Sequence, residues 1–261
     1  MNTYKPVFER PRNKRSRLDR LLVERGLAGS REKAKAVIMA GLVEVDGARV
    51  DKPGHLVREK ASISVKESHP PYVSRGGLKL EAALEHFSVR VNRLTLLDVG
   101  ASTGGFTDCL LKHGARKVTA IDVGYGQLDW TLRQDPRVAV LEKTNIRHLK
   151  PERLKSLAHG AVIDVSFISL RLVVPPVSDL LEDEAFIIAL IKPQFEVGRG
   201  QVGKGGVVRD PLLHREVIEK LSRFFEVAGW RVEGHIPSPL LGPKGNREFL
   251  IYLTRRKTDN N

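Results

Sequence analysis

The sequence contains a single cysteine, Cys109, among its 261 residues. A disulfide framework and any metal site built from several cysteines are therefore excluded, and a reducing cytoplasm is the expected location. No apolar run reaches the length of a membrane span, and the polar, basic first residues contain no apolar segment typical of a cleaved export signal. We expect a protein that neither spans a membrane nor carries such a signal, and nothing in the sequence requires a metal.

Acidic residues are outnumbered by basic ones. The 44 Lys and Arg against 31 Asp and Glu give a formal net charge of +13. The excess is densest near the N-terminus, since residues 1–70 hold 16 Lys and Arg against 9 Asp and Glu, and the other 191 residues hold 28 against 22. Such a charge favours a polyanionic partner, most commonly RNA or DNA. An anionic membrane surface and a charge that only promotes solubility are the alternatives.

The first 72 residues predict a basic arm, a small folded unit and a linker. Residues 1–16 combine basic side chains and two prolines with little periodicity, which favours a flexible arm. Within residues 17–66, leucines at helical spacing and an N-capping Ser30 predict two short helices, and alternating valines around Asp46-Gly47 predict a hairpin. Residues 67–72 contain two prolines and predict a semi-rigid linker.

This small unit resembles the S4 RNA-binding domain. The resemblance is carried by RLDRLLVERGLAGSREKAKAVIMAGLVEVDG and the following VDKPGHLV. It implies an α+β unit that docks its helix pair on structured RNA, where basic side chains meet phosphates. A solvated charged face is the simpler explanation for such residues. We predict RNA contact for Arg17, Arg20, Arg31, Lys33 and Lys35.

From residue 73 onwards, apolar strands alternate with helices. This order predicts an α/β domain with a mostly parallel sheet and helices on both faces, and ligands bind such sheets beyond the carboxyl ends of the strands. The predicted strands are 94–99, 117–122, 138–141, 161–165, 185–192, 230–236 and 247–254. The predicted helices are 104–113, 126–133, 151–157, 170–181 and 211–228.

A glycine turn follows the first of these strands, in LTLLDVGASTGGFTDCLL at 94–111. The dinucleotide fingerprint is excluded because Ser102 occupies the position of its second glycine, where backbone must approach a pyrophosphate. The phosphate loop of nucleoside triphosphatases is excluded because Phe106 occupies the position of its lysine. The pattern that fits is Asp-x-Gly-x-x-x-Gly-Gly from Asp98, with Asp122 ending the second strand 24 residues later. A carboxylate at Asp122 can accept both ribose hydroxyls of an adenosine.

This pattern resembles S-adenosylmethionine-dependent methyltransferases. The resemblance implies that Asp98 lies near the methionine half of the cofactor and that Asn145 faces the adenine edge. Turn chemistry alone also explains an Asp at position 122. The predicted cofactor residues are Asp98, Gly100, Ser102, Gly104, Gly105, Phe106, Asp122, Val123, Asn145 and Ile146.

Four further polar residues are candidates for the chemistry: Asp164, Lys192 and Glu248 lie at ends of predicted strands, and Lys79 lies in SRGGLKL, ahead of the first strand. Asp164, in GAVIDVSFIS, lacks the prolines that follow this position in methyltransferases of base amino groups. Lys, Asp, Lys and Glu in this order resemble the tetrad of FtsJ-like ribose 2′-O-methyltransferases, over residues 72–255. Each also has a plain structural explanation, such as an exposed helix residue at Lys79 or a Glu248 ion pair with Arg247.

The whole arrangement resembles the TlyA family, whose members are often labelled haemolysins. The motifs are YVSRGGLKL, DVGASTGGFTDCLL, VIDVSFIS, LIKPQFE and NREFL. The resemblance implies a Rossmann-like methyltransferase domain with a mixed seven-stranded sheet at residues 73–256, a tail at 257–261, and cytidine 2′-O-methylation of ribosomal RNA. Lys192 is the expected residue at the ribose hydroxyl, oriented by Asp164, while Lys79 and Glu248 hold the ribose. A free lysine has a pKa of about 10.4 and would need a value of roughly 7–8 to act as a base, so a base and a stabilising cation both stay open.

Alternative functions are a non-catalytic ribosome-binding factor, a membrane-active haemolysin and a nicotinamide oxidoreductase. The intact tetrad disfavours a non-catalytic binding factor. The absence of a membrane-spanning or long amphipathic segment disfavours a haemolysin, and the missing second glycine of the dinucleotide fingerprint disfavours an oxidoreductase. Between Phe195 and Asp210, a glycine-rich stretch predicts either a mobile loop at the site or a plain connection.

Overall fold

The computed structural model describes residues 14–39, 41–65 and 71–255. The chain divides into two compact units, Met1–His69 and Pro70–Asn261. Most of the predicted basic arm, most of the predicted linker and all of the predicted tail lie outside the described residues. The two units are described separately below.

The first unit combines two helices with short antiparallel strands. In chain order its elements are β1 (Arg15–Arg17), α1 (Leu18–Glu24), α2 (Arg31–Met39), β2 (Val43–Val45), β3 (Ala48–Arg49), β4 (Leu56–Arg58) and β5 (Ile63–Val65). β1 pairs with β4, and β2 lies between β3 and β5. The core includes Leu18, Leu22, Ala34, Ile38 and Val43, which are completely buried. These apolar residues recur at helical spacing in α1 and α2, so packing one apolar face of each helix forms the core.

Two local signals of the first unit act as predicted. The backbone N–H of Lys33 donates to Ser30 Oγ at 3.2 Å, so Ser30 caps α2. Asp46 and Gly47 both have positive φ, of 51° and 81°, as a two-residue hairpin turn requires. The prediction was wrong at residues 15 and 16, which were assigned to the basic arm. They belong to β1, which pairs with β4. This pairing joins residues far apart in the chain, since Ser16 lies opposite Val57, 41 residues further on.

The second unit contains seven strands and five α-helices among its described residues. In chain order they are α3 (Gly76–His86), β6 (Thr95–Val99), α4 (Gly105–Lys112), β7 (Lys117–Ile121), α5 (Trp130–Gln134), β8 (Val138–Leu141), β9 (Ala158–Ile163), α6 (Val174–Ser178), β10 (Leu181–Ile191), α7 (Pro211–Val227), β11 (Trp230–Pro237) and β12 (Phe249–Arg255).

These strands form one sheet in the order β11-β12-β10-β9-β6-β7-β8. The five strands from β10 to β8 are parallel, whereas β12 runs antiparallel to both β10 and β11. The predicted mixed seven-stranded sheet is therefore confirmed. Because the parallel strands point the same way, the loops that follow β6, β7, β9 and β10 meet at one edge of the sheet.

Cores cover both faces of the sheet. All five residues of β6 are buried, and consecutive side chains of a strand point to opposite faces. Leu96 packs in the cluster that contains α3 and α4, while Leu97 packs in the cluster that contains α6 and α7. α7 begins at an Asp210 cap, with the Leu212 N–H 2.8 Å from Asp210 Oδ1, and Pro211 takes the first helical position. The predicted three-layer α/β architecture follows from this burial of both faces.

Several predicted boundaries were wrong. The helix predicted at 126–133 begins only at Trp130, and the one predicted at 151–157 is a single 3₁₀ turn, Pro151–Arg153. The helix predicted at 170–181 is a 3₁₀ turn followed by the five residues of α6, because prolines at 175 and 176 fit only the first turn of a helix. β9 begins at Ala158, rather than 161, and β10 at Leu181, rather than 185, since Leu181 pairs with Ala158. The observed bounds of the other strands, of α4 and of α7 lie within two residues of the predicted bounds.

Candidate active site

Several candidate site residues lie together at the edge of the sheet formed by the carboxyl ends of β6, β9 and β10. Gly100, Asp164 and Lys192 directly follow these three strands. They border a cavity of about 570 Å³, here called the first cavity. Its other walls are the segment Ser74–Lys79, which begins α3, and the loop 240–244 before β12. Residues from five separate parts of the second unit thus surround one space.

Lys192 and Asp164 form an ion pair at the first cavity. Lys192 Nζ lies 2.6 Å from Asp164 Oδ1 and donates to Ser166 Oγ at 2.9 Å. Lys192 is only 8% exposed although it carries a charged group. Burial of a charge is costly unless it is paired and hydrogen-bonded, and both requirements are met here. The amino group is therefore held in one place, by the hydrogen bond that it donates to Ser166 and by the opposite charge of Asp164.

Lys79 and Glu248 form a second ion pair. Lys79 Nζ lies 2.6 Å from Glu248 Oε2, and the Glu248 side chain is completely buried. Lys79 borders the first cavity, while Glu248 lies behind it. Gly242 packs on the Glu248 carboxylate so closely that a Cβ there would collide with it. The four residues predicted as a tetrad are thus brought together as two ion pairs, Lys192 with Asp164 and Lys79 with Glu248.

The glycine turn after β6 has the backbone that its sequence predicts. Gly100 has a φ of +85°, and a Cβ there would lie 2.6 Å from the carbonyl oxygen of Asp164. Gly104 has a φ of +97°, and a Cβ there would collide with Leu132. Only glycine adopts this conformation at low cost, so both positions require glycine for backbone and for space. The turn lets the loops after β6 and β9 touch.

A second cavity, of about 370 Å³, adjoins the first. The two share Gly100, Ser102, Asp164 and Ser166 as wall residues. Among the predicted cofactor residues, those that border the second cavity are Gly100, Ser102, Asp122, Val123, Asn145 and Ile146. Gly105 and Phe106 border the first cavity instead, while Asp98 and Gly104 border neither.

Asp122 and Asn145 both shape turns as well as face the second cavity. Asp122 Oδ2 accepts the Ser102 N–H at 2.8 Å, and its Oδ1 accepts the Gly124 N–H at 2.7 Å. Asn145 Oδ1 accepts the Arg147 N–H at 3.1 Å. Each carboxylate oxygen of Asp122 retains a second lone pair, which suits the two hydroxyls of a ribose. A role of Asp122 in holding the turn is therefore compatible with a role in binding a ribose.

Asp98 lies beneath the glycine turn and is completely buried. Its Oδ2 accepts a hydrogen bond from Thr107 Oγ1 at 2.6 Å, while its Oδ1 has no hydrogen-bond partner in the protein. Burial raises the pKa of Asp98 to about 7, with a smaller contribution from the negative charge of Asp164, although the Thr107 hydrogen bond opposes the rise. The unpartnered oxygen of Asp98 and the Asp122 carboxylate, which borders the second cavity and retains acceptor capacity, fit the amino-acid and adenosyl parts of S-adenosylmethionine.

Several wall residues of the first cavity were not among the predicted site residues. They are Ser74, Arg75, Gly76, Ser166 and the loop 240–244. Ser74 and Arg75 lie in the YVSRGGLKL motif and Ser166 in VIDVSFIS, so these motifs contained the signal.

The stretch after Phe195, predicted as a mobile loop or a plain connection, contains buried and hydrogen-bonded residues that the sequence did not reveal. Val207 and Val208 are buried, and Asn246 Oδ1 accepts the Val208 N–H at 3.1 Å.

In the first unit, the predicted RNA-contact residues differ in their surroundings. Arg17 and Arg31 lie 3.1 and 3.0 Å from the buried carboxylate of Asp19. Hydrogen bonds from Arg17 above all lower the pKa of Asp19 to about 2. Both arginine side chains stay about half exposed, at 50% and 54%. Arg20 pairs with Glu24 on the surface, and Lys33 and Lys35 are exposed. Asp19 therefore holds two of these five cations in fixed positions.

Comparison with protein families assigns both units. Residues 72–255 match the model of the FtsJ-like methyltransferase family, and residues 16–63 match the S4 domain. The chain belongs to the FtsJ-like methyltransferase family. The predicted Rossmann-like fold, the methyltransferase activity and the cofactor, S-adenosylmethionine, are confirmed by this membership.

Individual relatives support the assignment to this family. The chain is 48% identical to the 16S/23S rRNA (cytidine-2′-O)-methyltransferase TlyA of Mycobacterium tuberculosis, over 94% of this chain and 92% of that protein. It is 41% identical to Hemolysin A of Brachyspira hyodysenteriae, over 91% of this chain and 99% of that protein. A solved structure from Streptococcus thermophilus whose name carries the word hemolysin matches with a TM-score of 0.73 and 44% identity, over 94% of this chain and 90% of that one. The resemblance to the TlyA family is confirmed.

Residues 14–39, 41–65 and 71–255 of this FtsJ-like methyltransferase contain neither a membrane-spanning helix nor a cluster of metal-ligating side chains. No helix in those ranges is long and apolar enough to cross a membrane. In the same ranges, no group of three or more His, Cys, Asp or Glu side chains could hold a metal ion.

Proposed function

We propose that this FtsJ-like methyltransferase methylates the 2′-hydroxyl of a cytidine ribose in ribosomal RNA. The observation that carries the proposal is the position of Lys192 Nζ, 2.6 Å from Asp164 and 2.9 Å from Ser166, where the first and second cavities adjoin. The name of the mycobacterial relative supports the ribose of a ribosomal cytidine as the acceptor. We infer a cytoplasmic location, because ribosomal RNA is the proposed substrate.

The second cavity suits the cofactor, and the first cavity suits the acceptor ribose. Asp122 would accept the ribose hydroxyls of the cofactor, and Val123, Asn145 and Ile146, which border the same cavity, would hold its adenine. When bound, S-adenosylmethionine would supply a methyl group: its bond to sulfur breaks as the acceptor oxygen bonds to the carbon, and S-adenosylhomocysteine leaves. The hydroxyl proton passes to Lys192 if that residue is a free amine, and to solvent if it is a cation. Lys79 and Lys192 then border the acceptor side of the site.

Within the first cavity, Lys192 contacts the target hydroxyl on the side of its amino group that Asp164 and Ser166 leave open, either as an ammonium that donates an N–H or as a free amine that accepts the hydroxyl proton. Asp164 orients the amino group, and its negative charge keeps the site close to neutral. Lys79, held by Glu248, contacts the ribose from the opposite wall. Because a poor nucleophile must meet the methyl group in line, this positioning supplies a large part of the rate.

The first unit contributes binding of the RNA. Arg17, Arg20, Arg31, Lys33 and Lys35 lie on or beside α1 and α2, and their charges suit phosphates. Asp19 fixes Arg17 and Arg31 before RNA arrives, which lowers the conformational entropy lost on binding.

Methyl transfer from labelled S-adenosylmethionine to separated, unmodified ribosomal subunits tests the proposal. The product nucleosides are identified for the unmutated protein, for Lys192→Ala and for Lys220→Ala, which removes an exposed lysine of α7 as a matched control. We expect a 2′-O-methylated cytidine with the unmutated protein and the control, and none with Lys192→Ala. Label on a base, or equal activity of Lys192→Ala, contradicts the proposal.

Lys192→Arg separates the two roles open to this lysine. An arginine retains the positive charge but does not release a proton. Measurable transfer by Lys192→Arg, absent in Lys192→Ala, assigns a stabilising cation. Loss in both variants, with cofactor binding retained by calorimetry, assigns a proton acceptor.

A further inference from the structure

Two aromatic side chains of the second unit lie outside both cavities and face solvent. Tyr125 is 71% exposed and Trp130 is 69% exposed. Both border a separate cavity of about 520 Å³, here called the aromatic cavity, whose other walls include Leu128, Arg133 and Glu142. Single exposed apolar residues are ordinary on protein surfaces, but two large rings around one cavity are typical of a binding surface.

The aromatic cavity carries positive charge beside its rings. Lys143 Nζ lies 4.5 Å from the centroid of the Tyr125 ring, a cation–π contact, and Lys143 is itself exposed. Glu142 is the acidic residue of the cavity wall, and it forms an ion pair with Arg133 and accepts the Gly126 N–H at 2.8 Å. Its charge is therefore compensated within the protein, so an anion that approaches Lys143 meets little repulsion.

A ligand for this surface needs flat π-faces and negative charge together. Unpaired nucleotides combine the two, because each base can stack on an aromatic ring while its phosphate contacts a cation. A purely anionic ligand would leave the Tyr125 and Trp130 rings uncovered, and an apolar one would leave Lys143 without an opposite charge. The net charge of +13 favours a nucleic acid over an acidic protein.

The aromatic cavity lies close to the cofactor side of the site. Val123 borders the second cavity, and Tyr125 follows it by two residues, so at most about 7 Å separates their Cα atoms. The loop between β7 and α5 therefore connects the two places. An RNA chain that enters the first cavity has this exposed surface within reach of its neighbouring nucleotides.

We propose that Tyr125 and Trp130 form a stacking site for an unpaired base of the substrate RNA, with Lys143 at the adjacent phosphate. The identity of that RNA rests on the proposed function, whereas the stacking itself does not. Every base has a π-face, so the site binds without sequence preference and contributes affinity and orientation. Selection of the target nucleotide belongs to other contacts.

Trp130 reports directly on this site. The chain has two tryptophans, and the other, Trp230, is 2% exposed. We would titrate the full chain, without cofactor and at one fixed salt concentration, with a single-stranded 12-nucleotide RNA and with an abasic RNA of the same length. We expect the RNA to quench the tryptophan emission and the abasic strand to leave it unchanged. In Trp130→Phe, where only Trp230 emits, neither strand should change the emission.

Affinity provides the second measurement. Tyr125→Leu and Trp130→Leu should each weaken binding of the 12-nucleotide RNA at least about fivefold, the lower end of what one stacked base contributes. Val227→Ala, an 89% exposed apolar residue at the end of α7, is the matched control and should bind as the unmutated protein does. Circular dichroism of each variant shows whether it is folded.

Three results overturn the stacking site: equal quenching by abasic RNA, unchanged affinity in both leucine variants, or quenching by ribosomal subunits but not by any naked RNA. The last would assign the surface to a protein partner. Methyl transfer to subunits is scored separately, so a failure of the proposed reaction with quenching retained removes the function and leaves the site.

Discussion

Lys79 and Glu248 are 169 residues apart in the chain, and their charged groups lie 2.6 Å apart behind one wall of the first cavity. The Glu248 side chain is completely buried and that of Lys79 is 12% exposed. Water therefore solvates neither charge well, and each needs the opposite charge beside it. Glu248 Oε1 has no hydrogen-bond partner in the protein. The pair therefore connects the start of α3 to the start of β12, and we expect both stability and methyl transfer to depend on it.

Glu248→Gln should destabilise the protein by about 3–5 kcal/mol, because it leaves the Lys79 charge without its partner. The double variant Lys79→Met with Glu248→Leu should recover most of that stability, since it buries no charge, while methyl transfer stays lost. Urea unfolding and methyl transfer measured on the same samples test both parts. Recovery of activity in the double variant would show that the pair is only structural.

Gly100→Ala should abolish cofactor binding. The substitution combines a φ of +85° with a Cβ only 2.6 Å from the Asp164 carbonyl oxygen, so the loops after β6 and β9 must separate. Gly229→Ala is the matched control, because it has a φ of +87° and open space around its Cβ. That control should lose only about 1–2 kcal/mol of stability and keep cofactor binding. Equal calorimetric affinities in the two variants would refute the close approach as the cause.

Asp98 should make stability fall as pH rises. Its pKa is raised from 3.8 to about 7 in the folded state, so the folded protein holds this proton more tightly than the unfolded chain does. The contribution is fully present below pH 3.8 and is lost as pH rises towards 7. Asp98→Asn keeps an acceptor for Thr107 without the charge, so it should gain stability relative to the unmutated protein between pH 5 and pH 8, on the order of a kcal/mol or more.

Urea unfolding of both proteins at the two pH values measures that difference. Thr107→Val is the complementary variant, since it removes the hydrogen bond that favours the Asp98 carboxylate. A difference between Asp98→Asn and the unmutated protein that does not vary with pH would contradict titration of Asp98 in this range.

Asp19→Asn should destabilise the first unit and weaken RNA binding together. The pKa of Asp19 is lowered to about 2, so its ion pairs stabilise the fold above the ordinary carboxyl pKa and are lost as pH falls towards 2. Removal of the charge should cost about 1–3 kcal/mol at neutral pH. Amide hydrogen exchange in α1 measures the stability, and filter binding of ribosomal RNA measures the affinity. An unchanged affinity would show that Arg17 and Arg31 bind RNA without help from Asp19.

Local chemistry accounts for what could be predicted from the sequence. The β6 strand and its glycine turn were identifiable because buried apolar runs and positive-φ glycines are properties of a few adjacent residues. The order Lys79, Asp164, Lys192, Glu248 was identifiable because each residue belongs to a short motif. The S4-like unit was identifiable for the same reason, through its helix caps and its hairpin turn.

Tertiary structure decided what these residues touch. The resemblance implied that Asp164 orients Lys192, but the sequence did not show that Lys79 pairs with Glu248, or that Asp98 lies beneath the cavities and not in their walls. Nor did it show that Tyr125 and Trp130 share a cavity, since the helix predicted at 126–133 begins only at Trp130. Ion pairing, burial and the shift of a pKa depend on atoms brought together across the sheet. Those distances are set when the strands align, and one stretch of chain does not contain them.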